Sequence, residues 1–214
     1  MNSNHTAFLS TAYLGPIQYY QNLIGHKQVV IEQYDHYIKQ TYRNRCNIIG
    51  PEGIQSLIVP IVKPSRDKQC MKDILISDHD NWQHLHWQAI KSSYKNSPYY
   101  DYFEEEFIKF YTHTPKYLLD FNMGLQETVC ELINIKPNVR LSSEYKTDFL
   151  ENEIDLREAI HPKKELTAEE QGLLSKRYYQ VFEQKHQFAP NLSILDLMFN
   201  MGPESIFFLD KSYL

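Results

Sequence analysis

The amino-acid sequence predicts an α/β fold, with a Rossmann-like N-terminal βαβ start and a hairpin, followed by a mainly helical C-terminal half. Three observations predict it. Two apolar segments enclose a Gly-Pro break and a helical stretch within residues 7–32. Two β-like segments then flank the Gly-Pro-Glu-Gly turn at residues 50–53. Three amphipathic helical stretches follow between residues 81 and 133. Strands that alternate with a helix favour a parallel α/β sheet.

The first element is a short apolar strand over residues 7–13, which a Gly-Pro pair ends. Residues 17–24 then place apolar side chains at helical spacing, and Pro16 suits the first turn of that helix. Gly25 ends the helix, and residues 28–32 form a second apolar strand. In such a unit, the loop after the first strand lies at the usual ligand-binding edge of the sheet.

The next elements are shorter and more β-like. Residues 47–49 and 56–59 flank the turn at residues 50–53, which predicts a hairpin. Residues 74–76 are predicted to form a further strand.

Helical periodicity dominates the middle of the chain. Residues 81–94 carry an apolar stripe that includes His86, and Pro98 restarts the chain into a second helix over residues 99–111. A third helix is predicted over residues 117–133.

The C-terminal part begins with a change of composition. Residues 144–170 are rich in charge and poor in aliphatic side chains, and we interpret them as a surface excursion. A chain of this length is in the range of one core, so we predict a single domain over residues 1–214, to which this excursion belongs.

Two helix starts are predicted in this part of the chain. Thr167 with Glu170 forms a capping box for a helix that continues through residues 178 and 182. Ser193 is predicted to cap a short buried helix through residue 199, and Asp196 in its first turn is predicted to cap backbone groups as well.

Composition excludes several classes of protein. A formal net charge of −5 argues against a nucleic-acid partner, because a phosphate backbone requires an excess of Lys and Arg. No apolar run reaches the roughly 18–20 residues that span a bilayer, and the N-terminus is polar and lacks a signal-peptide core. Three cysteines without a C-x-x-C pair fit reduced thiols. We therefore expect a cytoplasmic protein without membrane insertion.

The aromatic content widens the range of partners. Sixteen tyrosines supply flat apolar surface with a polar tip, which suits sugars, nucleobases and protein interfaces, including a homo-oligomer. The composition by itself selects none of them.

The segment from Lys39 to Arg45 is the strongest candidate for a ligand site. On an extended chain, Arg43 and Arg45 lie two residues apart and point the same way, so both guanidinium groups would bind phosphate or carboxylate oxygens. Tyr42 and Asn44 would take the other face. The alternative is a solvated edge strand that its charges protect from pairing.

Histidines give no metal-binding pattern. His84 and His86 are two apart on a helix and do not share a face, and no i, i+4 pair is present, so we predict no metal site. His86 lies on the apolar stripe, where it is either a core histidine or a general base that faces the ligand.

The sequence also identifies no cofactor. Gly15-Pro16 lacks the further glycines of a dinucleotide fingerprint and the Lys-Ser/Thr of a P-loop. The cofactor is therefore unknown at this stage.

A series of aromatic, proline and polar residues follows the order of a known family over about residues 8–204. Its members are Tyr13, Pro16, Tyr20, the segment Tyr42-Arg43-Asn44-Arg45, Pro60, Trp82, His86, Ile90, Tyr94, Pro98, Asn122 and the C-terminal NLSILDLMFNMGPES. This series resembles the WbqC-like protein family. The chain departs from the family in the first loop, where Ser10-Thr11-Ala12-Tyr13 replaces a Gln-Pro-x-Tyr-x-Pro pattern, and Glu32 takes the place of an Asp.

The resemblance implies a function class. The family occurs in gene clusters for bacterial surface polysaccharide (O-antigen) synthesis, and aminoacyl transfer, for example of glycine, to sugars is suggested for some members. It therefore implies a transferase in surface-polysaccharide or sugar-nucleotide metabolism that handles an anionic small molecule, such as a sugar nucleotide. Two alternatives stay open: a Mg²⁺-dependent nucleotidyltransferase-like enzyme, and a non-catalytic partner of polysaccharide enzymes.

The family has no established catalytic residues, so roles follow from chemistry. In this scheme the arginines hold the anionic part of the ligand, and a base accepts a proton from the attacking amine. The predicted substrate-binding residues are Tyr13, Lys39, Tyr42, Arg43, Asn44 and Arg45, and the candidates for the catalytic base are His86 and Glu32.

Overall fold

The computed structural model describes residues 3–63 and 69–210, so the first two residues of the polar N-terminus lie outside the described part. The predicted α/β class is confirmed: strands dominate the N-terminal half and helices the C-terminal half. No helix in the described ranges is long and apolar enough to cross a bilayer. In chain order the elements are β1 (Ser3–Ser10), α1 (Ile17–Gly25), β2 (His26–Glu32), β3 (Arg45–Gly50), β4 (Gly53–Ile58), α2 (Trp82–Tyr94), α3 (Tyr100–Thr112), α4 (Leu118–Leu132), β5 (Val139–Leu141), β6 (Glu153–Asp155), α5 (Ala168–Leu174), α6 (Glu183–His186), α7 (Ile194–Met201) and α8 (Ile206–Leu209).

The main sheet has four parallel strands in the order β5-β2-β1-β6. Strands β1 and β2 are joined by α1, which confirms the predicted βαβ unit and its helix start at Ile17. Strand β1 ends at Ser10, three residues earlier than predicted. The chain turns away there because the Tyr13 amide donates to the Tyr42 carbonyl (2.9 Å) rather than to a neighbouring strand.

The two outer strands of the sheet, β5 and β6, were not predicted. Each has only three residues, and β6 lies inside the charged segment 144–170. It pairs with β1 through residues 6–8, and the backbone carries this pairing, while the side chains of β6 are largely exposed. A strand held in this way needs no apolar alternation, so the sequence lacked the usual strand signal.

The hairpin is confirmed as β3 and β4, which form a separate antiparallel pair around residues 50–53. The predicted strand at residues 74–76 is wrong. In the described part of the chain, these residues form isolated bridges, Leu75 to Tyr117 and Ile76 to Ile61, because segments 60–62 and 116–118 bond to them through only a few backbone hydrogen bonds on either side, too few for a continuous ladder.

The three long helices are confirmed to within one residue at each end. The capping box at Thr167 is also confirmed, since its hydroxyl accepts from the Glu170 amide (3.2 Å) and the Glu170 carboxylate accepts from the Thr167 amide (2.8 Å). Helix α5 nevertheless ends at Leu174, before the predicted extension through residues 178 and 182. Tyr178 leaves the helix to enter the core.

One continuous apolar core joins the inner faces of the strands to helices α1–α4 and α7. Phe199 on α7 is fully buried and lies within 5.3–6.5 Å, centroid to centroid, of four aromatic rings from α2 and α3. These rings are Tyr94, Tyr100, Phe103 and Phe107. The helical half is therefore packed onto the strands through large aromatic contacts.

Asp196 on α7 is part of this core and does not cap the helix as predicted. The cap is Ser193, whose hydroxyl accepts from the Leu195 amide. The Asp196 carboxylate instead accepts from the Tyr178 hydroxyl (2.6 Å) and the Gln180 amide (2.7 Å). Complete burial raises the pKa of Asp196 to about 6, and these two hydrogen bonds only partly oppose the shift. The carboxylate thus ties the C-terminal loop to α7.

The raised pKa of Asp196 predicts a pH dependence of stability. Its ordinary value is 3.8, so the folded protein holds the proton more tightly than the unfolded chain does. The resulting stabilisation is complete below pH 3.8 and is lost as the pH rises toward 6. Relative to the D196N variant, we expect the free energy of unfolding of the wild type to fall by about 3 kcal/mol between those limits. Urea denaturation of both proteins across this range measures the difference. A difference that stays constant with pH would contradict the prediction.

Candidate functional site

The strands of the main sheet end at one common edge, because all four run in the same direction. Along the chain, the strand order moves from β1 to β2 and on to β5, and then reverses to β6 on the other side of β1. The carboxyl ends of β1 and β6 therefore flank a topological switch point. In open α/β sheets, ligands bind in the crevice outside the strands at such a point.

A narrow crevice lies at this switch point. The residues after β1 and β6 form two of its walls, and the segment that precedes β3 forms the third; its lining is Leu9, Ser10, Thr11, Ala12, Tyr19, Thr41, Tyr42, Arg43, Leu156, Arg157 and Ile160. Its volume is about 10 Å³, which is room for about one water molecule. A sugar or nucleotide enters it only if one of the walls moves.

Arg43 is the central charge of this crevice. Its side chain is 2% exposed, and its Nη2 donates to Ser10 Oγ (2.7 Å), Asp35 Oδ2 (2.5 Å) and Glu158 Oε1 (2.6 Å). These acceptors come from the end of β1, the loop after β2 and the loop after β6. A single guanidinium thus joins the three segments that surround the switch point.

The hydrogen bonds of Arg43 are unevenly distributed. Within the described residues, all of its side-chain hydrogen bonds use Nη2, and the buried Nε has no partner. Nη2 carries only two hydrogens for three acceptors, whereas a guanidinium has five donors in a fixed fork. Arg43 therefore has hydrogen-bond donors that the described residues do not use.

A second guanidinium, that of Arg157, lies on the other wall. It binds the Asp155 carboxylate through two nitrogens (2.8 and 2.7 Å) and stacks over the rings of Tyr145 (4.9 Å) and Phe149 (5.2 Å). Its Nη1 is 3.6 Å from Glu32 Oε2. The Asp155 carboxylate and the stacked aromatic rings fix the orientation of this wall.

Glu32 ends β2 and is fully buried. Its Oε1 accepts from Ser142 Oγ (2.6 Å) and from the Tyr34 amide (2.9 Å), whereas its Oε2 has no hydrogen bond within the described part of the chain. The predicted carboxylate after β2 thus lies beside Arg157, at the same edge of the sheet as Arg43. Its Oε2 faces Arg157 Nη1 at 3.6 Å and is therefore part of an ion pair.

Only part of the segment from Lys39 to Arg45 lies at the crevice. Arg43 lies in a turn and not on an extended chain, so the expected parallel alignment with Arg45 does not apply. Tyr42 lines the crevice, and Lys39 is exposed to solvent. Arg45 starts β3, is partly buried, and has an Nε without a partner among residues 3–63 and 69–210. Its contribution to a ligand site stays a prediction.

Asn44 binds within the protein: its side-chain amide donates to the Val59 carbonyl (2.8 Å), and its own carbonyl accepts from the Val59 amide (2.8 Å). Asn122 on α4 donates to the Arg43 carbonyl (2.8 Å). Both contacts hold the Arg43 turn against the core.

Tyr13 and His86 form a separate buried group behind the crevice. The Tyr13 hydroxyl contacts His86 Nδ1 (3.0 Å) and the Tyr111 hydroxyl (2.7 Å), and Trp82 and Phe121 surround them. Burial lowers the pKa of His86 to about 4, although a hydrogen bond with the Ile58 backbone acts in the opposite direction. His86 is therefore neutral at pH 7, and it is bonded to Tyr13 and Ile58.

A larger surface depression of the described residues lies elsewhere. It has a volume of about 860 Å³ and is formed by residues 175–190, including Arg177, Glu183 and Phe188. None of the predicted site residues lines it. We favour the smaller crevice because it combines the switch point with buried charged groups, whereas the depression is open to solvent.

Within the described ranges, no group of three or more His, Cys, Asp or Glu side chains is arranged to hold a metal ion. The carboxylates near the crevice form ion pairs with two guanidinium groups, those of Arg43 and Arg157. The site is thus built from ion pairs.

Sequence reasoning missed four residues of this site: Ser10, Asp35, Arg157 and Glu158. All four lie at or just after the end of a parallel strand. For Ser10 and Asp35 this position was a usable signal, since β1 and β2 were predicted. For Arg157 and Glu158 no signal existed, because β6 was not recognisable.

Comparison with known proteins places the chain among its relatives. A sequence profile of the WbqC-like protein family matches residues 11–207. The uncharacterized protein Rv1507c of Mycobacterium tuberculosis is 28% identical over 191 residues, which cover 79% of this chain and 81% of that protein. No solved structure shows a significant match.

The burial of His86 predicts its protonation behaviour. Because burial lowers its pKa to about 4, we expect its imidazole resonances to stay at their neutral positions between about pH 5 and pH 8. NMR titration measures this, with the H86Q variant used for assignment and the exposed His84 of the same helix as an internal reference. A midpoint near neutral pH for His86 would show that its ring is solvated.

Proposed function

The chain belongs to the WbqC-like protein family, and we propose that it is a cytoplasmic transferase of surface-polysaccharide or sugar-nucleotide metabolism. In this proposal, it transfers an aminoacyl group, such as glycine, to an amino sugar. The substrate-binding site is the crevice at the switch point between β1 and β6.

The observation that carries this proposal is the buried guanidinium of Arg43 beside the crevice. Arginine binds phosphate and carboxylate oxygens through its planar fork. The Nε of Arg43, which has no partner among the described residues, would donate to an anionic group of a sugar nucleotide or of an activated donor. Tyr42 lines the same crevice and supplies a flat surface for a sugar or a base.

The chemical step requires a proton acceptor. The amine nitrogen of the acceptor attacks the activated carbonyl carbon, a new C–N bond forms, and the leaving group departs with the electron pair of its bond. The nitrogen then loses a proton, which we assign to Glu32 rather than to His86. Glu32 ends β2 at the edge of the sheet, where its Oε2 lies 3.6 Å from Nη1 of Arg157, a residue that lines the crevice, whereas His86 lies in the aromatic core with its ring bonded to Tyr13 and Ile58.

The remaining predicted residues take supporting roles in this proposal. Tyr13 and His86 hold the loop after β1 through the hydrogen bond between them. Asn44 holds the Arg43 turn through Val59. Lys39 and Arg45 are assigned to the outer part of the ligand, since Lys39 is exposed and Arg45 is partly exposed.

A second candidate is a non-catalytic partner of polysaccharide enzymes. It is favoured by a specific observation: Arg43 is engaged by two carboxylates of the same chain, and the crevice is only about 10 Å³. In that case the network is structural, and no small ligand replaces its contacts.

Calorimetric titration with a panel of nucleoside diphosphate sugars distinguishes the two candidates. The R43K variant keeps the charge but loses the planar fork. If the crevice is the ligand site, we expect it to weaken binding by about tenfold or more, because at least one charge-assisted hydrogen bond is lost. Thermal unfolding of the variant checks that it is folded.

The matched control is R177K, which makes the same chemical change at an exposed arginine of the large depression. It is expected to bind like the wild type. Equal affinities of R43K and the wild type would exclude the crevice as the binding site. Failure of the whole panel to bind the wild type would favour the non-catalytic candidate.

A further inference from the structure

The Glu158 carboxylate lies where a ligand's anionic group would bind. It contacts Nη2 of Arg43 at 2.6 Å, on the side of the crevice formed by the loop after β6. This loop, residues 156–167, contains no helix or strand. A carboxylate on a surface loop thus fills an anion position that is otherwise lined by buried and partly buried residues.

The two carboxylates on Arg43 are not equivalent. Asp35 is 13% exposed, whereas Glu158 is 49% exposed. Both approach the same nitrogen, so they repel each other, and they compete with Ser10 for its two hydrogens. Water can replace the hydrogen bond of Glu158 at little cost, because half of its side chain is already solvated. Glu158 is therefore the releasable partner.

An external oxyanion would bind Arg43 better than Glu158 does. Glu158 makes a single hydrogen bond with the guanidinium, while the neighbouring Nε is buried and has no partner in the part of the chain that the structure describes. A phosphate or carboxylate that engaged both Nη2 and Nε would form two parallel charge-assisted hydrogen bonds. It would also satisfy a buried donor that is costly to leave unpaired.

Release of Glu158 would also enlarge the crevice. Leu156, Arg157 and Ile160 of the same loop line it, and its present volume suits about one water molecule. Arg157, directly before Glu158, is held by Asp155, by the Lys146 carbonyl and by a hydrogen bond from Ser10 Oγ to its own carbonyl (3.0 Å). Beyond Glu158, the contacts of the loop with the rest of the protein include the packing of Ile160 against the core and a contact between Lys163 and Gln40. A swing of residues 158–163 would open the wall on the solvent side.

We propose that the oxyanion of the ligand, a phosphate or a carboxylate, binds Nη2 and Nε of Arg43 in place of Glu158, and that the loop after β6 opens to admit it. Asp35 and Ser10 stay as the resident partners of Arg43. This inference rests on the proposed function, since it identifies the chemical group that the same crevice receives.

The test uses the full chain and two probes, inorganic phosphate and acetate, which separate a phosphate site from a carboxylate site. E158Q removes the charge that competes with the probe for Arg43. We expect it to tighten the binding of at least one probe by about tenfold, because less free energy is then needed to separate the loop from Arg43. The control is E183Q, which removes one negative charge from an exposed pair with Arg177. It is expected to bind both probes like the wild type.

A second measurement follows the loop itself. Saturating probe is expected to increase amide hydrogen exchange of residues 158–163 in the wild type, which a purely structural network would not show. Thermal unfolding of E158Q establishes that the variant is folded at the temperature of the titration.

The outcomes separate the inference from the proposed function. If E158Q binds both probes no more tightly than E183Q does, while R43K weakens binding, anions bind Arg43 without displacing Glu158, and only the inference is overturned. If R43K leaves the binding of both probes unchanged, the crevice is not the anion site, and the proposed function fails as well. Absence of any binding to E158Q overturns the inference.

Discussion

The buried guanidinium of Arg43 is the constraint on which the edge of the sheet depends. An ion of this kind costs several kcal/mol to remove from water unless partners surround it. Its partners come from β1, from the loop after β2 and from the loop after β6. These segments must therefore converge at one point for the fold to be stable. The switch point of the parallel sheet supplies that point, because it brings the ends of β1 and β6 side by side.

The charges of segment 144–170 form contacts within the same region of the protein. Arg157 is fixed by the Asp155 carboxylate and by the rings of Tyr145 and Phe149, and Lys146 pairs with Glu153. These contacts hold β6 against β1 although its side chains are mostly exposed. A segment that composition alone assigns to the solvent therefore completes the sheet and forms one wall of the crevice.

Two buried polar groups lie in different environments, one in the aromatic core and one at the edge of the sheet. The Tyr13–His86–Tyr111 group lies among aromatic rings, and its hydrogen bonds position the loop after β1 from the interior. The Glu32–Arg157 pair lies at the edge of the sheet, with Glu32 Oε2 3.6 Å from Arg157 Nη1. The aromatic environment lowers the pKa of His86, so its ring is kept neutral. The proposed function accordingly assigns the proton transfer to Glu32 rather than to His86.

The sequence by itself determined the elements that depend on local chemistry. The start of α1 after Pro16, the hairpin around residues 50–53, the three long helices and the caps at Thr167 and Ser193 were all predictable, because turn residues and 3.6-residue periodicity act over a few positions. Only the tertiary structure decided the short strands β5 and β6 and the partners of Arg43. Its two carboxylates lie 8 and 115 residues away along the chain. Contacts over such distances leave no periodic pattern in the sequence, and they form only when the parallel sheet brings the strand ends together.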